Sequence, residues 1–246
     1  MKKLIILIFY ISIFSFNSCY NYELSADMLG LDKKFFPVIH SLYKKDLSGA
    51  QTATLRLQKE FQKFNNKYES YYKDREWKAN FFAASESLEK AIESLETKNE
   101  KSAFYQIDRF RYEWIDLRSR YDIDYAYDYL WEVEAMIEIL NVSIQYNPEC
   151  PIDWFEYLDL SNEMLDSFKS FENLNEYNAY NYSTYKRNRI ELAIKNLGNR
   201  IRILNSACLQ TDWSLVVHCS KNILDDYLIL INAIGEAKFE IAFTTN

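Results

Sequence analysis

The stretch AFYQIDRFRYEWIDLRSRY, Ala103 to Tyr121, decides the fold. Ala103, Ile107, Phe110, Trp114, Leu117 and Tyr121 follow one another at steps of four, three, four, three and four. That spacing keeps six side chains on one face of an α-helix and leaves Arg, Asp and Glu on the other. Stripes of the same kind lie on both sides. Upstream are Leu47, Ala50, Thr54, Leu57, Phe61, Phe64, Tyr68 and Tyr71, then Trp77, Phe81, Leu88, Ile92 and Leu95. Downstream, Ile123, Ala126, Leu130, Val133, Ile137, Leu140 and Ile144 make a fourth stripe. Helices of ~20–27 residues are ~30–40 Å long, and three-four spacing suits shallow crossing angles, the geometry of a bundle. The expected class is therefore all-α: an up-down four-helix bundle over 46–146.

The rest of the chain extends it. Asn147-Pro148-Glu149-Cys150-Pro151 stops the fourth helix and prepares a fifth. Phe155, Leu158, Leu165 and Phe168 mark the fifth, Ile190 to Cys208 the sixth, and Leu215 to Ile234 the seventh. These form an expected three-helix bundle over 152–240, packed on the first. The turns are short and polar: Asp46 or Ser48, Asn99, and Thr211 or Asp212 are the candidate caps. The helix pair around Asn99 is similar in layout to the pair around Thr211, each with a polar break, a cap and then an apolar stripe. Only four glycines and three prolines occur in 246 residues, too few for the turns a sheet requires. Twenty tyrosines and sixteen phenylalanines can fill a large core.

The N-terminus has its own logic. Met1-Lys2-Lys3 is basic, Leu4 to Phe16 is almost wholly apolar, and Phe16-Asn17-Ser18-Cys19 closes the run. Thirteen apolar residues fall short of the ~20 that span a bilayer. The layout is that of a secretory signal peptide over 1–18. With Ser18 before Cys19 it resembles the lipobox of bacterial lipoproteins, although Phe16 and Asn17 depart from the commonest form. The resemblance implies cleavage before Cys19, a diacylglyceryl thioether on its sulfur and a further acyl chain, such as palmitate, on the new amino terminus. Residues 19–45 would then be a tether with one short helix, started by Pro37 and docked through Val38, Ile39, Leu42 and Tyr43. Tyr20, in place of an aspartate, implies the outer rather than the inner membrane of the cell envelope.

Cleavage removes Lys2 and Lys3, leaving 27 basic residues against 36 acidic ones and a net charge of −9. Nucleic acid and anionic lipid surfaces both require the opposite sign. Of the remaining cysteines, Cys150 and Cys208 fall at one end of an up-down bundle and form the disulfide candidate. The bond would close a loop of about 58 residues, stabilising by ~4 kcal/mol on the chain-entropy account. Cys219 reads as a small buried hydrophobe.

The chemistry is sparse. No Cys-x-x-Cys-His, Glu-x-x-His, Gly-x-Ser-x-Gly or phosphate-binding glycine loop occurs, and His40 and His218 are the only histidines. No catalytic residue, metal ligand or cofactor is assigned. The densest candidate runs from Arg118 to Glu138. There Asp124, Asp128 and Glu132 stand at i, i+4 and i+8, with Tyr121, Tyr125 and Trp131 beside them, a possible aromatic and carboxylate face for a cation or amine. An acidic solvated ladder countered by Arg118 and Arg120 accounts for the same residues. Leu117-Arg-x-Arg-Tyr-x-Ile-x-Tyr, followed by an aromatic and acidic helix, is similar to the last helices of cytochrome-c′-like bundles over roughly 46–145, without their haem-binding residues. A loop rich in Asn and Tyr, Asn173 to Tyr185, is a second candidate surface, for a protein or glycan. The chain reads as a lipid-anchored extracytoplasmic helical protein that binds or scaffolds. The alternative is a cofactor- or metal-binding bundle, or an enzyme, using the Asp124, Asp128 and Glu132 face.

Overall fold

In the computed structural model the described residues are 2–121, 123, 125–146, 153–174 and 183–235. Their side chains are described from Glu23 onward, Tyr146 excepted. Among the described residues there are eight helices and no strand: α1 Lys2–Tyr43, α2 Leu47–Tyr68, α3 Arg75–Glu96, α4 Glu100–Arg120, α5 Ala126–Tyr146, α6 Trp154–Leu174, α7 Thr184–Leu209 and α8 Trp213–Ile234. The all-α expectation holds. No helix among the described residues is long and apolar enough to cross a membrane.

The grouping of helices differs from the expected one. The chain divides into two compact units, Met1–Ile123 and Asp124–Asn246. In the first, α1 packs on α2, α2 on α3 and α3 on α4, and α1 also meets α4. In the second, α5, α6, α7 and α8 pack in the same succession, and α5 also meets α8. The division into a four-helix bundle over 46–146 and a three-helix bundle over 152–240 is therefore corrected. The helix after Ile123 joins the second unit, and its place in the first is taken by α1. Residues 24–43, expected as mostly tether, are core: Leu24, Met28, Leu31, Phe35, Ile39 and Leu42 are all buried, at steps of four, three, four, four and three. Pro37 lies inside α1 and does not begin a helix. A proline costs a helix one ladder bond, which burial of the six stripe side chains outweighs.

Three turns share one construction. Lys45, Lys98 and Thr211 take left-handed backbone conformations, with φ of 57°, 56° and 52°. The next residue's N–H then reaches back to a carbonyl five positions earlier: Asp46 to Ser41 at 2.9 Å, Asn99 to Ser94 at 2.8 Å and Asp212 to Ala207 at 2.9 Å. That same residue caps the following helix, its side chain accepting from the N–H of Gly49, Ser102 or Leu215. Asp46, Asn99 and Asp212 are thus the caps among the candidates. A chain with so few glycines uses side-chain-bearing residues where glycine is the unstrained choice. Thr211 bears the largest penalty, because a β-branched residue crowds its own backbone at positive φ. Thr211→Gly is expected to stabilise the chain by about 1 kcal/mol, seen as a rise of roughly 2–4 °C in thermal melting; an unchanged or lower melting temperature would count against the strain.

Rings fill the first core. Phe61 sits edge-on to Phe110 and Trp114 at 5.4 and 5.8 Å, and Phe64 edge-on to Trp114 at 5.1 Å. In the second unit Phe168 and Phe171 are fully buried, and Gly198 makes room for the former. A Cβ at Gly198 would stand 2.6 Å from the Phe168 ring, so α7 passes α6 there only without a side chain. Phe155, expected in the core of its helix, is 79% exposed.

Candidate functional site

The aromatic and carboxylate residues read from the sequence are divided between the two units. Tyr121 closes α4 in the first unit, its N–H on the Arg118 carbonyl and its hydroxyl donating to the Asp74 carboxylate. Asp124 lies outside the described residues, and α5 begins only at Ala126. Tyr125 and Trp131 are buried in the second unit, Tyr125 edge-on to Tyr127 at 5.7 Å. Asp128 is half-buried, and its N–H donates to the Tyr125 carbonyl. Glu132 is exposed and accepts from the Ser167 hydroxyl of α6 at 2.7 Å. The helical period explains the separation. Leu130, Trp131, Val133 and Glu134 turn to the core while Glu132, between them, faces out. Residues 175–182 of the Asn173 to Tyr185 stretch lie outside the described residues; Asn173 ends in α6 and Tyr185 is an exposed residue of α7.

Two buried polar pairs stand where the sequence suggested only surface charge. In the first unit Arg118 Nη1 lies 3.6 Å from a carboxylate oxygen of Asp32, with the side chains 0% and 2% exposed. The guanidinium also sits 5.6 Å from the ring centre of Trp114, within cation–π range. In the second unit Glu134, fully buried, accepts a 3.0 Å hydrogen bond from the hydroxyl of Tyr227. Each unit thus sets an acid of its first helix against a residue of its fourth. Ions and carboxylates in a core need partners, so each pair fixes which faces of the two helices meet. The signal in the sequence was slight: Asp32, Arg118 and Glu134 each adjoin a stripe residue, Leu31, Leu117 and Val133.

A third cluster closes one end of the first unit. The ring of Tyr72 stacks on Tyr121 at 4.3 Å and meets Trp77 at 4.7 Å, while Tyr71 touches Tyr68 at 5.9 Å and Tyr72 at 4.9 Å. The indole N–H of Trp77 donates to the Tyr68 carbonyl at 2.7 Å, tying the end of α2 to the start of α3. Asp74 caps α3 by accepting from the Trp77 N–H at 2.7 Å. Burial, with the Asp74 bond added, pushes the Tyr121 phenol up to about 12. Burial does the same for Tyr68, whose hydroxyl donates to Asp27.

Cys208 and Cys219 are free buried thiols, and burial raises both above the ordinary range, which makes them weak nucleophiles. Cys219 is fully buried, in keeping with its reading as a small hydrophobe. Cys150, the other half of the disulfide candidate, lies outside the described residues. Among the described residues no group of three or more His, Cys, Asp or Glu is placed to hold a metal ion. Burial, helped by Lys44, lowers the pKa of His40.

No family model matches the chain, no curated protein is similar to it, and no solved structure resembles it.

Proposed function

We propose that this chain is a lipid-anchored, extracytoplasmic helical protein of the cell envelope that serves by binding or scaffolding, held at the outer membrane through acyl chains on Cys19. The observation that carries this is the N-terminal layout: Lys2-Lys3, the apolar run Leu4 to Phe16, and Ser18-Cys19 at its close. Two acyl chains or more on one residue anchor a protein stably where one chain would not. The partner is a protein or a glycan met by the exposed surface. Large apolar side chains there, such as Phe82, Tyr112 and Phe155, are the first places to look for contact. The up-and-down connection of the helices belongs to the same reading, supported by the three-residue turns after Tyr43, Glu96 and Leu209.

Mass spectrometry of the N-terminal peptide from the native envelope tests it. The expected peptide begins at Cys19 and carries a diacylglyceryl group. A peptide that begins elsewhere, or an unmodified Cys19, overturns the anchor. A crosslinked pull-down from the same membranes then identifies the partner.

A further inference from the structure

We propose that one end of the first unit, built by the α2–α3 connection and the C-terminus of α4, seats in the headgroup layer of the membrane that holds Cys19; this rests on the lipid-anchor reading above.

Reach comes first. Leu24 is already core, 1% exposed. It stands five residues after Cys19, which is about 8 Å along a helix and at most ~17 Å fully extended. An acylated Cys19 therefore holds the packed unit against the bilayer with no slack for a tether. The polar contacts fix which end is held. Glu23 and Asp27 of α1 each meet Lys67 Nζ at 2.7 Å, and the hydroxyl of Tyr68 donates to Asp27 at 2.8 Å. The turn of α1 from Glu23 to Asp27 thus lies beside the last turn of α2. The opposite end, with the turns at Lys45 and Lys98, is about 33 Å away, the length of a 22-residue helix.

The chemistry of the near end fits a headgroup layer. Tyr71, Tyr72 and Tyr121 are half-buried, with their rings packed on one another and on Trp77. Tyrosine, with an apolar ring and a polar hydroxyl, concentrates at the level where acyl chains meet headgroups. Lys73 is exposed in the connection, where a long stem can lie along that layer with its ammonium among phosphates. Glu69, Asp74 and Glu76 offset Lys73, Arg75 and Arg120. Attraction to anionic lipid is therefore not what holds this end down. The aromatic tier and the short reach are.

The test uses the native full-length lipoprotein in vesicles of phosphatidylethanolamine and phosphatidylcholine that contain a phospholipid with a photoactivatable headgroup. Lipid adducts and the state of Cys19 are read by mass spectrometry in one run. The expected result is about tenfold more adduct on the peptide carrying Tyr71 to Lys73 than on those carrying Lys45 and Lys98. Equal labelling of both ends, or labelling confined to residues 19–23, with Cys19 acylated, overturns the seat and leaves the anchor standing. An unmodified Cys19 overturns both. Protection of the Tyr72 end in native envelopes but no adduct in pure lipid assigns that surface to a protein and overturns the seat.

Discussion

Arg118→Ala is expected to destabilise the first unit by about 3–5 kcal/mol. The guanidinium is fully buried, 3.6 Å from Asp32 on α1 and over the ring of Trp114. Removing it leaves the Asp32 carboxylate, 1% exposed, in a core that cannot solvate it, and leaves a void against the indole. The cost comes from the abandoned partner more than from the lost attraction. That distinction can be measured. Asp32→Leu combined with Arg118→Met replaces the pair with apolar groups of similar bulk and is expected to recover most of the loss. Denaturant titration with peptide-resolved hydrogen exchange over α1 to α4 reads both. If Arg118→Ala costs less than ~1 kcal/mol, as exposed pairs do, the pair is not a buried one and its role in matching α1 to α4 falls. Arg120, two residues on, is the control. It is half in solvent, bonded to Asp116 at 2.7 Å and Glu76 at 3.0 Å, and its loss is expected to be mild.

Arg118 and Arg120 look alike in the sequence, and that shows where legibility stops. The stripe Ala103, Ile107, Phe110, Trp114 and Leu117 was legible because 3.6-residue periodicity is local and repeated, and all five residues are core. Asn99 was legible as a cap because an Asx residue after a polar break has one common use. Asp74 was not, since the tyrosine-rich connection Tyr71-Tyr72-Lys73 before it carried no stop signal. Whether Arg118 turns inward depends on an acid 86 positions earlier, across a helix whose stripe was itself hidden. Asp32-Lys33-Lys34 and Pro37 looked like a polar, broken tether, although Leu24, Met28, Leu31 and Phe35 kept the helical period through it. Missing that helix moved the boundary between the units. With α1 left out, α5 was needed to complete a first four-helix bundle, and only three helices remained for the second. In the candidate face, Asp128 and Glu132 lie one turn apart on α5, and the period that turns Glu132 outward sends Trp131 into the core.

Trp77→Ala is expected to cost the first unit about 3–5 kcal/mol, the range for a large aromatic removed from a core. Trp77 is 0% exposed and meets Tyr72, Tyr121 and Phe81 at 4.7, 4.8 and 5.1 Å. Its indole N–H on the Tyr68 carbonyl joins the last residue of α2 to the first turn of α3 across the connection. Trp77→Phe separates the two contributions. It keeps most of the ring contact and removes the donor, leaving the hydrogen bond's share, about 1–2 kcal/mol. Near-UV circular dichroism should lose amplitude sharply in the alanine variant, because the stack of Tyr72 on Tyr121 has Trp77 behind it. Hydrogen exchange should quicken first at the last turn of α2, where Tyr68 also holds Asp27 of α1. A phenylalanine variant as damaged as the alanine one would mean that the donor to Tyr68, not the ring, holds this end together. An alanine variant within ~1 kcal/mol of the parent would mean that the cluster is a surface ornament. The same indole supports the aromatic tier of the proposed headgroup seat; on that proposal the alanine variant, reconstituted in vesicles, should also lose its lipid adducts at Tyr72 while Cys19 stays acylated. A tier held only by the anchor, and not by Trp77, would keep them.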